Sequence, residues 1–571
     1  NNGITFLGFP ISGWMKNNNI NIEDLWDTEN SLWEAKLYPV CDTEEEAINW
    51  AIKLQDSIDN KFDDKVLTEW KCMKRINLRE SYQLADVPAI LKRFNLLEDR
   101  IQSRRFIDAI KKGKWVEEVL LLLGKNKTAL RRMKIIYQIA ENVRKSDPIL
   151  AMRIYRSLAE ASLKLNINNG EICFDNLENL SFNIINKAIC DSYSVNLQFQ
   201  NINYKQIAIK NKCVEVEMPV RVHIGGAWSD AIPYCIEHGG TMLNMAILLN
   251  GKRPVKVKVE KLDSKIIKLE SIDQRTVKIF DNINELINYN DPTDPFALHK
   301  AALVVAGLLP YDVGGNVNID LKDIINNIGG GIHLTTCVDV PKGSGLGTSS
   351  ILAAAVLQAL QKFIGVKYDE QKIISQVLCL EQLITTGGGW QDQVGGLIPG
   401  IKLVKSQPGI PQNIIYEKVN LSKDTMYLFE KRLVLIYTGQ RRLAKSILRN
   451  VMGRYIINDP KICSLLEETQ RIALLMKFEL EKGKIDNYAQ LMNKNWQCIK
   501  ELDPGSTNRC IDQIIDVCSP YLSGAMVTGA GGGGFIVGIL KKAEMRDELN
   551  TRLQDIFQDT QVRLRECSIL E

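Results

Sequence analysis

Apolar residues recur at helical spacing through much of the first third of the chain. Between Thr43 and Asn168 they return every three or four residues with charged residues between them, which is typical of amphipathic helices. The segments with this pattern are EEEAINWAIKLQDSI, VPAILKRFNLLEDRIQSRRFIDAI, WVEEVLLLL, ALRRMKIIYQIAENVRK and PILAMRIYRSLAEASLKL. Asp147-Pro148 predicts a helix start, with Asp as the N-cap and Pro in the first turn. We therefore predict an α-helical domain here.

The pattern changes to strands mixed with helices after residue 213. Val214 to Glu217 and Val255 to Val259 alternate between apolar and polar residues, as half-buried strands do. Ile332 to Val340 is apolar and β-branched like a strand, and Ser350 to Phe363 has helical spacing. A second helix is expected around 369–384. From about residue 405, strands alternate with longer helices.

Two stretches lack a clear period. Residues 1–40 are rich in aromatic residues and glycine, which predicts strands and turns too short to form a core alone. Because the chain opens at Asn1 without Met, we interpret this stretch as the tail of an upstream region of a longer polypeptide. Residues 169–212 are Asn-rich and mixed, and we interpret them as a connection.

Composition narrows the class of protein only slightly. A chain of 571 residues has room for three or four domains of about 100 to 200 residues each. The net charge of +4 gives no reason to expect nucleic acid, and we interpret the basic run Arg131 to Lys134 as a solvated helix face. Thirteen cysteines without CxxC pairs, with only four histidines, give little support for zinc and predict reduced thiols in a cytoplasmic protein. We expect neither a membrane span nor a signal peptide.

The stretch PKGSGLGTSS, from Pro341 to Ser350, joins the predicted strand to the predicted helix. Glycines let the backbone approach a ligand, and three hydroxyls lie at the helix start, where N–H groups and the helix dipole attract an anion. A capped turn would explain one glycine and one hydroxyl, but not three of each. The GxxxxGK[ST] pattern is absent, since Lys342 precedes the glycines. The stretch therefore predicts a nucleotide-phosphate site of another class than the P-loop.

Three motifs in order resemble the GHMP small-molecule kinases, a family named for galactokinase, homoserine kinase, mevalonate kinase and phosphomevalonate kinase. They are the P-x-R-V motif at Pro219 to Val222 with Gly226, the P-x-G-x-G-L-G-[ST]-S motif at Pro341 to Ser349, and the glycine run from Gly529 to Gly533. The resemblance covers about residues 214–571. It implies an α+β protein with the GHMP-kinase fold, in which two α/β lobes hold the ATP site between them. The α-helical domain and a short β-rich remnant precede these lobes.

Within this family the match narrows to fucokinase-like sequences. Trp228-Ser229-Asp230, GSGLGTSSIL and GGGWQDQVGG are similar to fucokinases, including the kinase half of bifunctional fucokinase/GDP-fucose pyrophosphorylases. The resemblance implies a cytoplasmic sugar 1-kinase of GDP-fucose salvage that uses ATP, Mg²⁺ and L-fucose. It also implies a longer chain with an upstream nucleotidyltransferase, and no nucleic-acid or membrane partner. The implied domains are residues 1–42 (upstream remnant), 43–205 (helical domain and connection), 206–404 (N-terminal lobe) and 405–571 (C-terminal lobe).

The same resemblance assigns the reacting groups. Asp392 matches the catalytic base, and Arg221 is expected beside it and the γ-phosphate, where it favours the carboxylate form and stabilises negative charge. Glu381, eleven residues before Asp392, and Ser349 match the metal ligands, with Thr348 as a neighbouring candidate. The residues expected to bind ATP are Lys342, Gly343, Ser344, Gly345, Leu346, Gly347, Thr348, Ser349 and Ser350.

The sugar side is assigned in the same way. Asp230 lies nine residues after Arg221, and its carboxylate can accept two hydroxyl hydrogen bonds. Trp228 either packs against the apolar side of L-fucose or belongs to the core. The glycines expected to line the sugar site are Gly388, Gly389, Gly531 and Gly532. Arg442 and Lys445 either contact phosphates or are solvated, and we interpret His223 as structural.

The sequence also departs from the fucokinase pattern G-G-W-S-D-T-P-P. Ala227 stands at the second glycine, and Ala231-Ile232-Pro233 replaces T-P-P. These changes flank the sugar site, so they leave the sugar more open than the reaction class. A heptose-phosphate kinase and a non-catalytic kinase-like sensor or assembly module are the alternatives. A basic cluster facing the sugar would favour the first, whereas the presence of the expected reacting groups argues against the second.

Overall fold

The structure is a computed structural model that describes residues 4–28, 31–84, 87–197, 207–291, 293–310, 320–384, 387–440 and 445–571. It divides into two compact units, one up to Leu177 and one from Glu178 onward. Within the described ranges, no helix is both long enough and apolar enough to cross a bilayer.

The first unit is predominantly helical, as its apolar spacing predicts. Its strands are β1 (Thr5–Phe6), β2 (Phe9–Pro10), β3 (Tyr38–Pro39) and β4 (Arg75–Ile76). Its helices are α1 (Ile11–Asn17), α2 (Ile22–Leu25), α3 (Glu44–Asp59), α4 (Asp64–Cys72), α5 (Leu78–Leu84), α6 (Val87–Lys111), α7 (Val116–Val119), α8 (Asn126–Val143) and α9 (Pro148–Lys164). A 3₁₀ turn, Leu120–Leu123, follows α7, and α10 (Phe174–Leu197) runs from this unit into the next.

An aromatic core joins the first forty residues to α3 and α4. Trp14 of α1 packs edge-on against Trp70 of α4, with ring centroids 6.1 Å apart, and both rings are fully buried. The Trp14 indole N–H donates to Ser57 Oγ of α3 at 2.7 Å, which satisfies its polar atom inside the core. The strands and turns predicted for residues 1–40 account for only part of this stretch, because α1 and α2 occupy much of the rest.

The helix start predicted at Asp147 is confirmed. The Asp147 carboxylate accepts the backbone N–H of Leu150 at 2.9 Å, and Pro148 occupies the first turn of α9. The interpretation of the basic run 131–134 as a solvated face is wrong for Arg132. That side chain is buried and pairs with Asp99 of α6 at 2.8 Å, and Arg131 pairs with the same carboxylate at 2.7 Å.

Helix α10 occupies much of the stretch 169–212, which was interpreted as a connection, and the sequence did not predict this helix. Its buried positions return every fourth residue, which is the period of a helix face. They are Leu177, Ser181, Ile185, Ile189 and Tyr193, and Cys190 next to Ile189 is buried as well. Asparagines on the other positions, and a serine within the buried face itself, hide this period in the sequence.

The second unit mixes helices and strands. Its strands are β5 (Cys213–Met218), β6 (Val220–Gly225), β7 (Thr241–Leu249), β8 (Val255–Leu262), β9 (Ile267–Ser271), β10 (Thr276–Phe280), β11 (Gly331–Val338), β12 (Ile401–Gln407), β13 (Asn413–Lys418), β14 (Leu433–Tyr437), β15 (Leu522–Val527), β16 (Phe535–Leu540), β17 (Arg563–Arg565) and β18 (Cys567–Ile569). Its helices after α10 are α11 (Tyr234–His238), α12 (Ile283–Ile287), α13 (Ala297–Val305), α14 (Leu321–Ile328), α15 (Thr348–Phe363), α16 (Glu370–Leu383), α17 (Gln391–Leu397), α18 (Lys423–Arg432), α19 (Lys445–Ile456), α20 (Pro460–Glu481), α21 (Ile485–Leu502), α22 (Arg509–Cys518) and α23 (Arg546–Ile556), with 3₁₀ turns at Pro504–Ser506 and Ala543–Met545.

Three sheets organise the described residues of this unit. Their strand orders are β10-β9-β11-β8-β5, then β13-β12-β7-β18 with β6 also paired to β7, and β15-β16-β14-β17. Strand β11 runs parallel to β9 and antiparallel to β8. The buried valines of β8, which are Val255, Val257 and Val259, alternate with more exposed residues on a face against which α15 packs. The protein is therefore of the α+β class, with a helical region before the mixed unit.

This topology brings four segments to one place. Strand β11 leads into the glycine-rich loop before α15, and β15 and β16 are joined by a second glycine-rich loop. We call residues 341–347 the early glycine loop and residues 528–534 the late glycine loop. Strand β6 carries Arg221, and the short helix α17 carries Asp392 in its first turn.

Candidate active site

The early glycine loop ends in the N-terminus of α15. Gly343, Gly345 and Gly347 have φ angles of +76°, +74° and +73°, which L side chains rarely adopt. Gly347 occupies the N-cap position, so no side chain there covers the first turn of the helix. The dipole of this 16-residue helix favours an anion at that end, as predicted for a phosphate cradle.

The residues of this loop and of the first turn of α15 differ in what they can offer a ligand. Lys342 and Ser349 are exposed, Gly343, Gly345 and Thr348 are half-buried, and Gly347 is buried. Ser344, Leu346 and Ser350 are buried, so Leu346 can serve a nucleotide only through its backbone. The Leu346 carbonyl accepts the backbone N–H of Arg221 at 3.2 Å, which joins the early glycine loop to β6.

The late glycine loop packs against the early one backbone to backbone. A Cβ on Gly345 would lie 2.4 Å from the carbonyl oxygen of Thr528, which is much closer than any side chain tolerates. A Cβ on Gly534 would lie 2.1 Å from the carbonyl oxygen of Ser344. Glycine at these positions is therefore required for the two loops to touch.

Arg221 and Asp392, which are 171 residues apart in sequence, form an ion pair directly beneath Gly347. Arg221 donates from Nε at 2.9 Å and from one terminal nitrogen at 2.6 Å, both to Asp392 Oδ1. Its other terminal nitrogen donates to the carbonyl of Gly345 at 2.7 Å. The side chain of Arg221 is 3% exposed and that of Asp392 is 27% exposed, so only the carboxylate is open to a substrate. A Cβ on Gly347 would lie 3.1 Å from atoms of both side chains.

Asp230 lies beside this pair. It is buried in the segment after β6, and its Oδ2 accepts the backbone N–H of Gln391 at 3.3 Å, at the start of α17. Burial, and then the negative charge of Asp392, raise the pKa of Asp230 to about 7. Gly389 makes room for it, since a Cβ there would lie 2.2 Å from Asp230 Oδ2.

Trp228 precedes Asp230 in an unusual backbone conformation. Its φ angle is +66°, in the left-handed region that a bulky residue rarely adopts, and its side chain is half-buried. Strain of this kind persists where the surrounding structure fixes it, and it is common next to binding sites.

Glu381 of α16 is buried, and its hydroxyl neighbour is Ser350. Ser350 Oγ donates to Glu381 Oε1 at 2.7 Å, whereas Ser349, the residue predicted to share a metal with Glu381, points outward in the first turn of α15. A Cβ on Gly388, which was expected on the sugar side, would lie 3.2 Å from Glu381 Oε2. This glycine therefore lies against the Glu381 carboxylate.

The donor set around Glu381 fits Mg²⁺, which prefers carboxylate and hydroxyl oxygens. Within the described part of the chain, no group of three or more His, Cys, Asp and Glu side chains could hold a metal ion. An ion here would therefore take its other ligands from nucleotide phosphates and water, as Mg²⁺ commonly does.

Gly531 and Gly532, which were predicted on the sugar side, contact the 3₁₀ turn at Ser506. The Gly532 N–H donates to the Ser506 carbonyl at 2.5 Å, and a Cβ on Gly531 would lie 2.6 Å from the same oxygen. Asn508 Nδ2 donates to the Gly532 carbonyl at 3.3 Å and to Gln440 Oε1 at 2.9 Å. These contacts of the two glycines stabilise the conformation of the late glycine loop.

The remaining sequence candidates are His223, Arg442 and Lys445. His223 is buried, and burial together with the charge of Arg221 lowers its pKa to about 3, which keeps the ring neutral, in agreement with a structural role. Arg442 and the side chain of Lys445 lie outside the described residues. Thr528 and Ser506 contact the site but were not predicted, because a threonine before a glycine run and a serine in a turn are common in ordinary loops.

Comparison with known families agrees with this geometry. The model of the GHMP kinases N terminal domain matches residues 317–398, which include the early glycine loop, Glu381 and Asp392. The GHMP kinases C terminal model matches residues 476–557, which include the late glycine loop. The chain is thus similar to the GHMP kinases in two segments, one in each of their two domains.

Two of its relatives align with nearly the whole chain. The bifunctional fucokinase/GDP-fucose pyrophosphorylase of Arabidopsis thaliana is 29% identical over 96% of this chain and 52% of its own length. The L-fucokinase/L-fucose-1-P guanylyltransferase of Bacteroides fragilis is 29% identical over 94% of this chain and 55% of its own length. This chain therefore spans about half the length of these two relatives. The D-glycero-alpha-D-manno-heptose 7-phosphate kinase of Campylobacter jejuni is 24% identical over 57% of this chain and 88% of its own length.

Proposed function

We propose that this chain is an ATP-dependent sugar 1-kinase that transfers the γ-phosphate of ATP to the anomeric hydroxyl of L-fucose, giving fucose 1-phosphate and ADP. The observation that carries the proposal is the Arg221–Asp392 ion pair beneath Gly347, at the N-terminus of α15. A triphosphate held at that helix end has its transferring group beside a partly exposed carboxylate. This juxtaposition is what a kinase needs to place a hydroxyl in line with a phosphoryl group.

Asp392 takes the proton of the acceptor hydroxyl in this proposal. Its Oδ1 accepts hydrogen bonds from Nε and one terminal nitrogen of Arg221, so Oδ2 is the oxygen proposed to contact the sugar hydroxyl. Arg221 pairs with the carboxylate and adds a fixed positive charge near the transferred group. Because the guanidinium is already held in place by the protein, it does not need to reorganise during the reaction.

The nucleotide is held by backbone and hydroxyl groups of the early glycine loop and the first turn of α15. Thr348 and Ser349 offer hydroxyls there, and the exposed Lys342 offers a positive charge. Glu381, with the hydroxyls of Ser349 and Ser350, would hold Mg²⁺, which supplies charge neutralisation on the phosphates.

L-fucose is proposed as the sugar because both relatives that align with nearly the whole chain carry fucokinase in their names. Asp230 is proposed to accept sugar hydroxyls. Two further expectations accompany this proposal. The chain acts in the cytoplasm, in keeping with thirteen cysteines that are all free thiols, and it belongs to a longer polypeptide with a nucleotidyltransferase, as the names of the two relatives suggest. The domain limits of 1–42, 43–205, 206–404 and 405–571 remain proposals.

A coupled assay of ADP release with a panel of sugars tests the function. Wild type is expected to turn over L-fucose in preference to D-arabinose, galactose, mannose and heptose 7-phosphate. Asp392→Asn keeps the size of the side chain but removes the proton acceptor, so we expect a loss in kcat of about 10² to 10⁴-fold. Asp263→Asn, at an exposed position in the turn between β8 and β9, is the matched control and should leave kcat unchanged.

Three results would contradict the proposal. Rapid turnover by Asp392→Asn would remove this residue from its role. A preference for heptose 7-phosphate over L-fucose would instead favour the heptose kinase alternative, for which the match to the Campylobacter relative is the supporting observation. A wild type that binds ATP but phosphorylates none of these sugars would favour the non-catalytic alternative.

A further inference from the structure

Thr528 lies where the late glycine loop, the early glycine loop and β6 meet. It directly follows β15 and is fully buried. Its backbone N–H donates to the carbonyl of Phe535 at 3.0 Å, which closes the base of the late glycine loop. Its carbonyl oxygen lies against Gly345, whose missing Cβ makes that contact possible.

The Thr528 hydroxyl accepts two hydrogen bonds from β6. The backbone N–H of His223 donates to Oγ1 at 3.0 Å, and the terminal nitrogen of Arg221 that also contacts Gly345 donates at 3.5 Å. The second bond is long, so its direct contribution is small. Its position matters, because it lies on the side of the guanidinium opposite to Asp392.

The Arg221 guanidinium is therefore held on both edges. One edge binds Asp392, and the other binds the Gly345 carbonyl and the Thr528 hydroxyl. A planar fork held on both sides cannot swing, whereas one held on one side can rotate about its side-chain torsions. The bond to His223 fixes the backbone of β6 two residues from Arg221, so both contacts of Thr528 act on the same side chain.

We propose that Thr528 is a positioning residue of the phosphoryl transfer, whose hydroxyl holds Arg221, and through it Asp392, in register with the two glycine loops. The expected effect on catalysis rests on the proposed function, whereas the hold of Thr528 on Arg221 does not. Thr528 itself is buried behind the loop and acts only through Arg221. Any movement of the late glycine loop is thereby passed to the carboxylate that receives the sugar proton.

Threonine and valine have nearly the same shape, so Thr528→Val removes the acceptor and keeps the volume. We expect Thr528→Val to lower kcat about 10 to 100-fold while KM for ATP changes less than threefold. Thr528→Ser, which restores the hydroxyl, should stay within threefold of wild type in kcat. Thr336→Val is the matched control, since Thr336 is also buried and its hydroxyl also makes two hydrogen bonds, to His299 and to the Glu270 carbonyl. It should lose stability without losing kcat.

A spectroscopic readout separates this inference from the identity of the sugar. The buried Nε–H of Arg221 should give a slowly exchanging signal in a ¹⁵N-arginine spectrum, assigned by its absence in Arg221→Lys. We expect at least a tenfold faster exchange in Thr528→Val and no change in Thr336→Val. If Thr528→Val does not fold, Thr528→Cys, with its weak sulfur acceptor, is measured in its place.

Each outcome decides the matter. Wild-type kcat and an unchanged exchange rate in Thr528→Val would overturn the inference, as would a Thr528→Ser variant that is as slow as Thr528→Val, since packing rather than the hydroxyl would then be responsible. If wild type turns over another sugar, kcat is compared with that sugar. If it turns over none, the proposed function fails, and the exchange rate alone decides whether Thr528 holds Arg221.

Discussion

Replacing Arg221 with lysine tests whether the geometry of the fork, rather than its charge alone, supports the reaction. Lysine keeps the positive charge, but a single amine cannot bind Asp392 on one side and the Gly345 carbonyl on the other. In wild type those contacts are made at 2.9 and 2.6 Å to Asp392 and at 2.7 Å to Gly345. Arg221→Lys therefore keeps at most one of the two anchors.

The magnitude follows from burial. Removing one partner of a buried ion pair costs about 3 to 5 kcal/mol, and a hydrogen bond to a charged group contributes about 1.5 to 3 kcal/mol. Because the Asp392 side chain is 27% exposed, water replaces part of what is lost, and the lower end of each range applies. We expect a loss of about 1.5 to 3 kcal/mol for Arg221→Lys, or roughly 10 to 10²-fold in kcat, and at least 10²-fold for Arg221→Met.

The assay is ADP release at saturating ATP and L-fucose, with melting temperatures measured in parallel. Arg253→Met, at an exposed position before β8, is the control and should match wild type. A kcat for Arg221→Lys within threefold of wild type would refute the argument from fork geometry. If Arg221→Met raised KM for ATP and left kcat unchanged, Arg221 would serve nucleotide binding instead of the acceptor carboxylate.

Two further predictions concern the sugar side. Burial and the charge of Asp392 raise the pKa of Asp230 from 3.8 to about 7. Between pH 3.8 and about pH 7 the folded protein therefore keeps a proton on Asp230 that the unfolded chain releases. The stability contributed by this group falls as the pH rises through that range. Asp230→Asn should therefore raise the free energy of unfolding by at most about 4 kcal/mol at pH 8 and by only about 1 kcal/mol at pH 4.5, while sugar turnover falls. Equal gains at both pH values in denaturant melts would contradict this account. Trp228→Ala should raise KM for L-fucose more than KM for ATP in steady-state kinetics, whereas equal increases would count against packing of the ring on the sugar.

The sequence alone predicts those parts of the site in which a local pattern has one physical cause. The strand, glycine loop and helix over β11 to α15 are confirmed within two residues, because alternating glycines and a hydroxyl cluster leave few other folds. The meeting of Arg221 and Asp392 depends on tertiary structure, and it was predicted only through resemblance to a family. Nothing in the spacing of 171 residues reveals it.

The misses have equally physical causes. Helix α10 was overlooked because Ser181 occupies one of the buried positions that otherwise mark a helix face. The hydrogen bond from Ser350 to Glu381 was not predicted, since which of two adjacent hydroxyls faces Glu381 depends on the rotation of α15 about its axis, which sequence does not fix. Thr528 was passed over because its importance lies in contacts with β6, more than 300 residues earlier in the chain.

The aromatic core of the first unit bears on how this protein can be divided. Trp14 and Phe6 come from the first forty residues, whereas Trp70 and Phe62 come from the helical stretch that follows, and they share one interior. A cut after residue 42 would leave large indole and phenyl surfaces facing water on the shortened protein. Anyone preparing the second unit alone would do better to remove the first unit as a whole than to trim it at its start.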